Sequence, residues 1–240
     1  MVSCHVERPL DDAVWEAFAD LQRRRPGGFA VAALMRPPDA EAGEHDEALW
    51  LARAREAAGR APLGHHTHFT SPTHARPTGG DTGARVRREG AWLRDRGVAP
   101  TLFCGGGWYT DRDVAGACAE LGYVDCTPRA ARPPYLAEGE RWASLAEPST
   151  VELPSGGDLH VIPTTHSLGD LARALTARAL PKLLHVYFHD TDLLDRRRRA
   201  LVRLTLPLLA RRANATDLDT LATHAFAAAP RVPWADVARI

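Results

Sequence analysis

The chain has few cysteines and no excess of charge, and both shortages exclude classes of protein. Its four cysteines stand apart at positions 4, 104, 118 and 126, so we expect buried free thiols rather than the disulfide framework of a small secreted domain. Lysine plus arginine and aspartate plus glutamate number 30 each, which argues against binding to nucleic acid or to an anionic membrane.

Long apolar runs are also lacking. A membrane-spanning helix needs about 20 consecutive apolar residues, and no segment approaches that length. The N-terminus, Met1-Val2-Ser3-Cys4-His5, has no basic region followed by an apolar stretch, so we predict no signal peptide and expect a cytoplasmic protein. No repeat or linker divides the sequence, which predicts a single domain over residues 1–240. The oligomeric state stays open.

What the sequence does contain is an alternation of apolar strand-like segments and amphipathic helices. The strand-like segments lie near residues 2, 29, 63, 99, 123, 159 and 183. Such alternation predicts an α/β fold with a parallel sheet covered by helices, and seven strands suit a closed or nearly closed (β/α) barrel. In barrels of this kind, chemistry gathers where the carboxyl ends of the strands meet the following loops. Most of the unusual polar residues of the chain lie at those ends.

Three of the eleven histidines fall within His65-His66-Thr67-His68, which reads as a strand running into a loop. Alternate residues of a strand point to one face, so we expect His66 and His68 to hold their imidazoles close enough for one ion. Neutral imidazole is the commonest protein ligand for a borderline transition metal. The alternative is a histidine-rich loop that faces solvent.

A carboxylate stands at the end of the first strand, where His5 and Glu7 alternate on one face. One carboxylate and two histidines form a familiar catalytic zinc set that leaves a position for water. Glu7, His66 and His68 are therefore the predicted ligands of a divalent metal, zinc or a similar ion. Alternatively, Glu7 begins a solvated turn with Arg8.

The last predicted strand ends at His189-Asp190. A histidine at a strand terminus can act as general acid or base, and an adjacent carboxylate tunes it. We expect His189, supported by Asp190, to be catalytic. The alternative is that His189 caps the next helix, although Thr191 and Asp192 already supply capping side chains. His185 has the same strand phase, and we interpret it as a hydrogen-bonded core histidine.

Other residues near the same strand ends form a predicted substrate-binding set, namely Trp108, Tyr109, Asp125 and His166. The two aromatic residues follow Gly105-Gly106-Gly107, a run that lacks the lysine and the Ser/Thr of a nucleotide-binding loop. The expected use of this segment is close approach of the backbone to a ligand, with Trp108 or Tyr109 stacked on a sugar-like ring.

These segments, in this order, resemble the polysaccharide deacetylase (NodB-homology) superfamily. The resemblance covers most of the chain and is carried by four segments: Val2-Ser3-Cys4-His5-Val6-Glu7, Leu63-Gly64-His65-His66-Thr67-His68, Phe103 to Trp108 followed by Ala119-Glu120-Leu121-Gly122-Tyr123, and Val186-Tyr187-Phe188-His189-Asp190. It implies an irregular seven-stranded (β/α) barrel of the NodB-homology type, a divalent metal held by one carboxylate and two histidines, and hydrolysis of an N-acyl group. By position, His66 matches the first metal histidine and His189 the catalytic acid.

The chain departs from the family pattern at three positions. His5 stands where the family has an aspartate base, which makes His5 the candidate base here. Thr70 occupies the position of the second metal histidine, so His68 would substitute for that ligand. Cys104 replaces the arginine that orients the base.

The sequence leads to the hypothesis of a metal-dependent hydrolase that removes an N-acyl group, acetyl in particular, from an amino sugar or a sugar-containing small metabolite. Two alternatives stay open. A barrel that has lost catalysis would bind carbohydrate or a partner protein through the same residues. In the second alternative, the protein keeps the metal but uses it for non-hydrolytic chemistry such as isomerisation or oxidation.

Overall fold

The computed structural model describes residues 1–239 as a mixed α/β protein whose central sheet is mainly parallel. The strands of this part of the chain are β1 (Val2–Val6), β2 (Val31–Met35), β3 (Leu63–Thr67), β4 (Leu102–Gly105), β5 (Val124–Asp125), β6 (Trp142–Ala143), β7 (Ser149–Glu152), β8 (Asp158–Val161), β9 (His166–Ser167), β10 (Val186–His189), β11 (Arg231–Pro233) and β12 (Ala238–Arg239). Its α-helices are α1 (Asp12–Arg24), α2 (Glu47–Ala58), α3 (Thr82–Asp95), α4 (Arg112–Glu120), α5 (Leu168–Ala174), α6 (Arg196–Ala210), α7 (Leu218–Ala225) and α8 (Trp234–Val237).

Ten of the strands form one sheet, in the order β11-β7-β8-β5-β4-β3-β2-β1-β10-β9. Every neighbouring pair from β8 to β9 is parallel, whereas β7 joins β8 in the antiparallel direction. All seven predicted strands are present, as β1 to β5, β8 and β10. The count of seven missed β7, β9 and β11 in this sheet. Those strands have two to four residues, and no helix separates β7 or β9 from β8, so the alternation of strands and helices did not reveal them as separate strands.

The segment between β8 and β9 joins the two ends of the parallel series. The backbone N–H of Thr164 donates to the carbonyl oxygen of Pro128, just after β5. The next residue, Thr165, donates its N–H to the carbonyl oxygen of His185, just before β10. One short stretch of chain, which connects the two outermost strands of the parallel series, therefore also contacts residues next to β5 and β10, the second strand from each end.

The two faces of the sheet bury different clusters. On one face, Leu34, Leu102, Cys104 and Cys126 pack together with Leu218 of α7. On the other face the outer helices cover the strands: the buried cluster there unites Phe18, Val31, Val186, Val202 and Leu206. Strand alternation distributes the residues, because Cys104 and Phe103 are neighbours in β4 yet belong to different clusters.

The first four helices begin at side chains that cap them. Asp11, Asp46, Asp81 and Asp111 each accept a hydrogen bond from a backbone N–H in the first turn of the helix that follows. Aspartate is among the preferred residues at this position because it satisfies one of the N–H groups left without an intrahelical partner. None of the helices described over residues 1–239 combines the length and the apolar character needed to cross a bilayer.

Gly105, at the end of β4, gives a first prediction. A Cβ at this residue would lie 2.1 Å from the carbonyl oxygen of Tyr109, a backbone atom that cannot rotate away. We expect Gly105→Ala to lower the free energy of unfolding by about 1–3 kcal/mol, measured by urea denaturation. Gly116→Ala is the control, because a Cβ in that part of α4 meets nothing closer than 3.9 Å. There, alanine should add roughly 0.5–1 kcal/mol. Unchanged stability of Gly105→Ala would contradict this packing.

Candidate metal centre

Three strands deliver polar side chains to one edge of the sheet. Glu7 follows β1, His68 follows β3 and His189 ends β10. Because β1 pairs with β10 in parallel, with His5 in register with His189, the carboxyl ends of these strands lie together. The parallel order of the sheet thus gathers residues that are far apart in the chain.

The ring nitrogens of three histidines surround one carboxylate oxygen. Glu7 Oε1 lies 3.4 Å from His68 Nε2, 3.6 Å from His189 Nε2 and 3.8 Å from His66 Nε2. These separations are longer than ordinary hydrogen bonds. Donor atoms bound at about 2.0–2.2 Å to a tetrahedral ion lie roughly 3.3–3.6 Å from one another. The spacing of Glu7, His66 and His68 is therefore close to the spacing of metal ligands.

Backbone carbonyl groups determine which nitrogen of each imidazole carries the proton. His66 Nδ1 lies 2.7 Å from the carbonyl oxygen of Cys104, and His68 Nδ1 lies 3.0 Å from that of Pro72. A carbonyl oxygen only accepts hydrogen bonds, so each Nδ1 must donate and each Nε2 must carry a lone pair in the neutral ring. Both Nε2 atoms are buried and have no hydrogen-bond partner among residues 1–239. Imidazoles that bind metals are oriented in this way.

The charge states also suit a cation. Burial lowers the pKa of His66 to about 4, against the opposing effect of Glu7, so this ring is neutral at pH 7. Burial by itself would raise the pKa of Glu7, but contacts with His66 and His68 outweigh it and hold the pKa of the carboxyl far below its usual range. Metal ions bind the ionised carboxylate and the neutral imidazole, which are the forms present here.

The ligand atoms of Glu7, His66 and His68 all lie within 4.8 Å of one another. A second group that meets this limit contains His5, His66 and Cys104, and all three of its residues are buried. The protein therefore has residues that can hold a metal ion. A cleft of about 410 Å³ opens on the first group, with Glu7 and His68 in its lining.

His189 lies beside this group, although its supporting carboxylate differs from the predicted one. The side chain of His189 is 37% exposed, and its Nδ1 lies 4.0 Å from Asp192 Oδ2. Asp190, the predicted support, instead accepts hydrogen bonds from the backbone N–H groups of Arg8 and Thr191. Asp190 is completely buried, and burial raises its pKa to about 6. The carboxylate that reaches the His189 ring is three residues away because the chain turns after β10.

His5, the candidate base, lies beneath the histidine group rather than at its open side. Its ring centroid is 4.6 Å from that of His66, and its Nε2 is 3.7 Å from Cys104 Sγ. Only 3% of His5 is exposed, and burial lowers its pKa well below the usual value. His5 is therefore a neutral imidazole packed against a thiol. His185, interpreted as a core histidine, accepts or donates a hydrogen bond with Ser3 Oγ at 2.9 Å, as expected.

One of the four predicted substrate-binding residues contacts the histidines directly. The ring of Trp108 is 5.2 Å from that of His5. Tyr109 points elsewhere: its hydroxyl donates to Asp111, and its ring packs on Phe69. His166 lies on β9, and its Nδ1 is 2.7 Å from Thr165 Oγ1.

Asp125 lies on the opposite face of the sheet from the histidines. It is in register with Phe103, which packs under the helices, whereas its neighbour Cys126 belongs to the cluster on the histidine side. Its Oδ1 accepts a hydrogen bond from the N–H of Thr127, while its Oδ2 has no partner in the described chain. Burial raises the pKa of Asp125 to about 6. The structure therefore does not bring Asp125 to the candidate site.

The glycine run is used for packing within the protein. A Cβ on Gly106 would lie 2.7 Å from the carbonyl oxygen of Thr67 and 2.9 Å from His68 Cδ2. Gly107 has a φ of +60°, and the side chain of Arg76 covers it. The sequence predicts that a ligand approaches the backbone at this glycine run. In the structure, the loop that carries His68 makes this approach. Gly106 leaves room for the imidazole.

Sequence reasoning gave no role at the site to Tyr187 or Arg129. The Tyr187 ring is 5.5 Å from His5 and 5.9 Å from His189, and its alternation with His189 along β10 was the signal for it. Arg129 Cζ lies over the rings of Trp108 and Tyr187, at 4.4 Å and 4.9 Å. No local pattern singles out Arg129, because its contacts are made by segments distant in the chain.

Comparisons with known proteins give a likeness of fold. No protein-family model and no curated protein sequence matches the chain. Among solved structures, the crystal structure of 4-alpha-glucanotransferase from Thermococcus litoralis is similar over 97% of this chain, with a TM-score of 0.57 and 15% sequence identity. The match covers 39% of that enzyme, so this chain spans about two fifths of its length. At this identity the likeness shows the fold alone.

The buried carboxyl of Asp125 gives a prediction with a definite pH dependence. Its pKa in the folded protein is above the ordinary value of 3.8, so folding favours the protonated form and stability falls as pH rises through about 6. Asp125→Asn keeps the acceptor for Thr127 without a charge. We expect it to be more stable than wild type near pH 8 by about 3 kcal/mol, at roughly 1.4 kcal/mol per pKa unit.

Urea denaturation at two pH values tests this expectation. The advantage of Asp125→Asn should disappear below about pH 3, where the carboxyl is protonated in both the folded and the unfolded chain. A stability difference that does not change with pH would contradict the buried, ionisable carboxyl described here.

Proposed function

We propose that this protein is a metal-dependent hydrolase that removes an N-acyl group from an amino sugar or a sugar-containing small metabolite. The observation that carries the proposal is the pair of buried Nε2 atoms on His66 and His68. Both have lone pairs, neither has a hydrogen-bond partner in the described chain, and both face Glu7 Oε1. A buried acceptor without a partner costs free energy, and a bound cation removes that cost.

Glu7, His66 and His68 would hold the ion, and zinc or a similar divalent metal suits one carboxylate and two imidazoles. Catalytic zinc sites use three protein ligands, whereas structural sites use four. When bound, such an ion polarises an acyl oxygen and acidifies a water molecule. The two imidazole ligands are already fixed by neighbours, since Cys104 and Pro72 orient the rings through their carbonyl groups.

His189 is the better placed of the two candidate proton carriers. Its Nε2 is 3.6 Å from Glu7 Oε1, its ring is partly exposed, and Asp192 lies next to its Nδ1. His5 is buried, and its Nε2 faces the Cys104 thiol. In the proposed reaction, His189 would accept a proton from the attacking water and pass it to the nitrogen of the leaving amine as the C–N bond breaks. His5 packs against His66 and holds that ring in place.

An irregular (β/α) barrel is the fold we infer for this activity. The stretch Thr164-Thr165 bonds to residues next to β5 on one side and next to β10 on the other, which is how an open parallel series closes on itself. The TIM-barrel-like fold of the glucanotransferase supports this interpretation. Placement of the histidine group at the carboxyl ends of the strands agrees with the usual site of chemistry in such barrels.

Glycoside cleavage is less well supported than amide hydrolysis. Most glycosidases need two carboxyl groups across the scissile bond. Within residues 1–239, Asp190 is buried with both oxygens bonded to backbone N–H groups, and Asp192 is engaged by Arg198 and by the N–H of His189. Glu7 remains as a single carboxylate facing three imidazoles. The resemblance of the histidine segments to polysaccharide deacetylases supports an N-acyl substrate.

A second candidate function is binding of carbohydrate without catalysis. The burial of His5, where the resembling family has its aspartate base, favours this candidate. A protein of this kind would bind N-acetylated sugars in the presence of metal and release no acetate. Acetate release that a chelator abolishes would select the hydrolase.

Metal content provides the direct test of the ligand set. We expect the wild-type protein, reconstituted with zinc and dialysed, to retain about one ion per chain, as sites with three protein ligands do. The double variant His66→Ala/His68→Ala should lose it. His65→Ala is the matched control, because His65 points to the other face and bonds to Glu89. Equal zinc in wild type and double variant, measured by mass spectrometry of the metal, would show that the ligand set is wrong.

Substitution of His189 tests proton transfer. We expect His189→Ala to lower kcat for acetate release by roughly a hundred- to ten-thousand-fold, because general acid–base catalysis contributes about that much. Zinc content and thermal stability should stay close to those of wild type, since His189 is partly exposed and lies outside the group of three ligands. Near-normal turnover would remove His189 from the mechanism.

A further inference from the structure

Arg129 is a buried cation that forms no ion pair with any carboxylate of residues 1–239. Only 8% of the residue is exposed, and its Nε and Nη1 atoms are fully buried without a hydrogen-bond partner in the described chain. Arginine is almost never fully buried unless it is paired. The guanidinium group has five N–H donors and no acceptor, so Nε and Nη1 need an acceptor that residues 1–239 do not provide.

Two other buried arginines, Arg36 and Arg53, have the hydrogen bonds and ion pairs that a structural role requires. Arg36 donates to the carbonyl oxygens of Glu7 and Pro37 and pairs with Glu44. Arg53 donates to the carbonyl oxygen of Pro9 and pairs with Asp12. Both are as buried as Arg129, and both are fully engaged. Arg129 differs from them in the absence of any such partner among residues 1–239.

The guanidinium group is oriented even though its donors are unused. Its Cζ lies 4.4 Å from the ring centroid of Trp108 and 4.9 Å from that of Tyr187. Aromatic faces attract the cation, but the N–H bonds point outward in the guanidinium plane, so stacking does not satisfy them. Trp108 holds its ring there at a φ of +57°, a left-handed conformation that is unfavourable for a bulky residue.

This cation lies next to the candidate metal centre. The rings of Trp108 and Tyr187, on which Arg129 stacks, are 5.2 Å and 5.5 Å from the ring of His5. The ring of His5 in turn packs at 4.6 Å on that of the proposed ligand His66. These ring contacts place the guanidinium group in the same cluster of side chains as His66. A molecule bound at both places would have to extend from Glu7, His66 and His68 to this group.

We propose that Arg129 binds the anionic group of the substrate, so that the preferred substrate is an N-acylated compound carrying a carboxylate or a phosphate. The planar fork of arginine matches both oxyanions with paired hydrogen bonds. This inference rests on the proposed function in assigning the anion to an N-acylated substrate. Anion binding by Arg129 can be measured without turnover.

Three sugars that share one N-acetylated ring test the proposal. N-acetylglucosamine is neutral, its 6-phosphate adds a phosphate, and N-acetylmuramic acid adds a carboxylate. Calorimetric titration in a His189→Ala background avoids turnover. We expect at least one anionic sugar to bind more tightly than the neutral one, and Arg129→Met to weaken that binding about thirtyfold or more. The sugar that responds identifies the oxyanion.

Arg53→Met is the matched control, because Arg53 is also buried and stacked over a tryptophan, Trp15. It should lower Tm by leaving Asp12 and Pro9 without their donor, and it should keep the preference for the anionic sugar. Arg129→Met should keep or raise Tm, since methionine retains the apolar stem and removes an unpaired buried charge.

Two results would overturn the proposal. One is a wild-type site that binds the neutral sugar as tightly as both anionic sugars. The other is an Arg129→Met variant that keeps the preference while losing Tm as Arg53→Met does, which would make Arg129 structural. A protein that prefers an anionic sugar but releases no acetate would retain this inference and contradict the hydrolase.

Discussion

Two hydrogen bonds to backbone carbonyl groups determine the chemistry of the histidine site. The carbonyl oxygens of Cys104 and Pro72 each accept the Nδ1 proton of a histidine, which forces the lone pair of that ring onto Nε2. One carbonyl comes from the neighbouring strand β4 and the other from the loop after β3. The imidazole lone pairs that face Glu7 therefore depend both on the register of the sheet and on the path of the loop. If either carbonyl group were displaced, the proton of that imidazole could lie on Nε2, which would then be a donor.

Strand alternation separates the site from the core within a few residues. His66 and His68 face Glu7, whereas His65 and Thr67 face α3 and share the carboxylate of Glu89. The hydrogen bonds of His65 and Thr67 to Glu89 attach β3 to α3. The attached strand holds His66 and His68 in position. Gly106 completes the arrangement, because only a residue without Cβ lets Thr67 and the His68 ring approach β4 so closely.

The parts of the site that the sequence predicted are those with a local pattern. His66 and His68 alternate within one strand, and His5 and Glu7 alternate at the end of another, so their grouping needed only a parallel sheet. Asp125 failed this reasoning because β5 has two residues, and a strand of that length does not show which face a side chain takes. Its register with Phe103 places it under the helices.

Other parts depend on tertiary contacts that no window of sequence contains. Asp190 follows His189 directly, yet it turns to the N–H of Arg8, which is 182 positions away in the chain. Asp192 reaches the His189 ring instead, because the chain turns immediately after β10. Arg129 acquires its surroundings from Trp108 and Tyr187, on two different strand ends. Spacing along the chain cannot predict these contacts, since each depends on how distant segments are brought together in the folded sheet.

Buried donors and buried acceptors without partners belong to one cluster of packed rings at this end of the sheet, because Trp108 and His5 connect Arg129 to His66. Of the ten buried side-chain nitrogen and oxygen atoms without a partner in the described chain, four belong to His66, His68 and Arg129. The two imidazole nitrogens are acceptors in their neutral rings and can bind a cation, and the two guanidinium nitrogens are donors and can bind an anion. Folding leaves both pairs of atoms without partners in the described chain, which costs free energy. A ligand that combines an ion-polarised acyl oxygen with an acidic group provides partners for both pairs at once, and this is the physical reason to regard the two pairs as parts of one site.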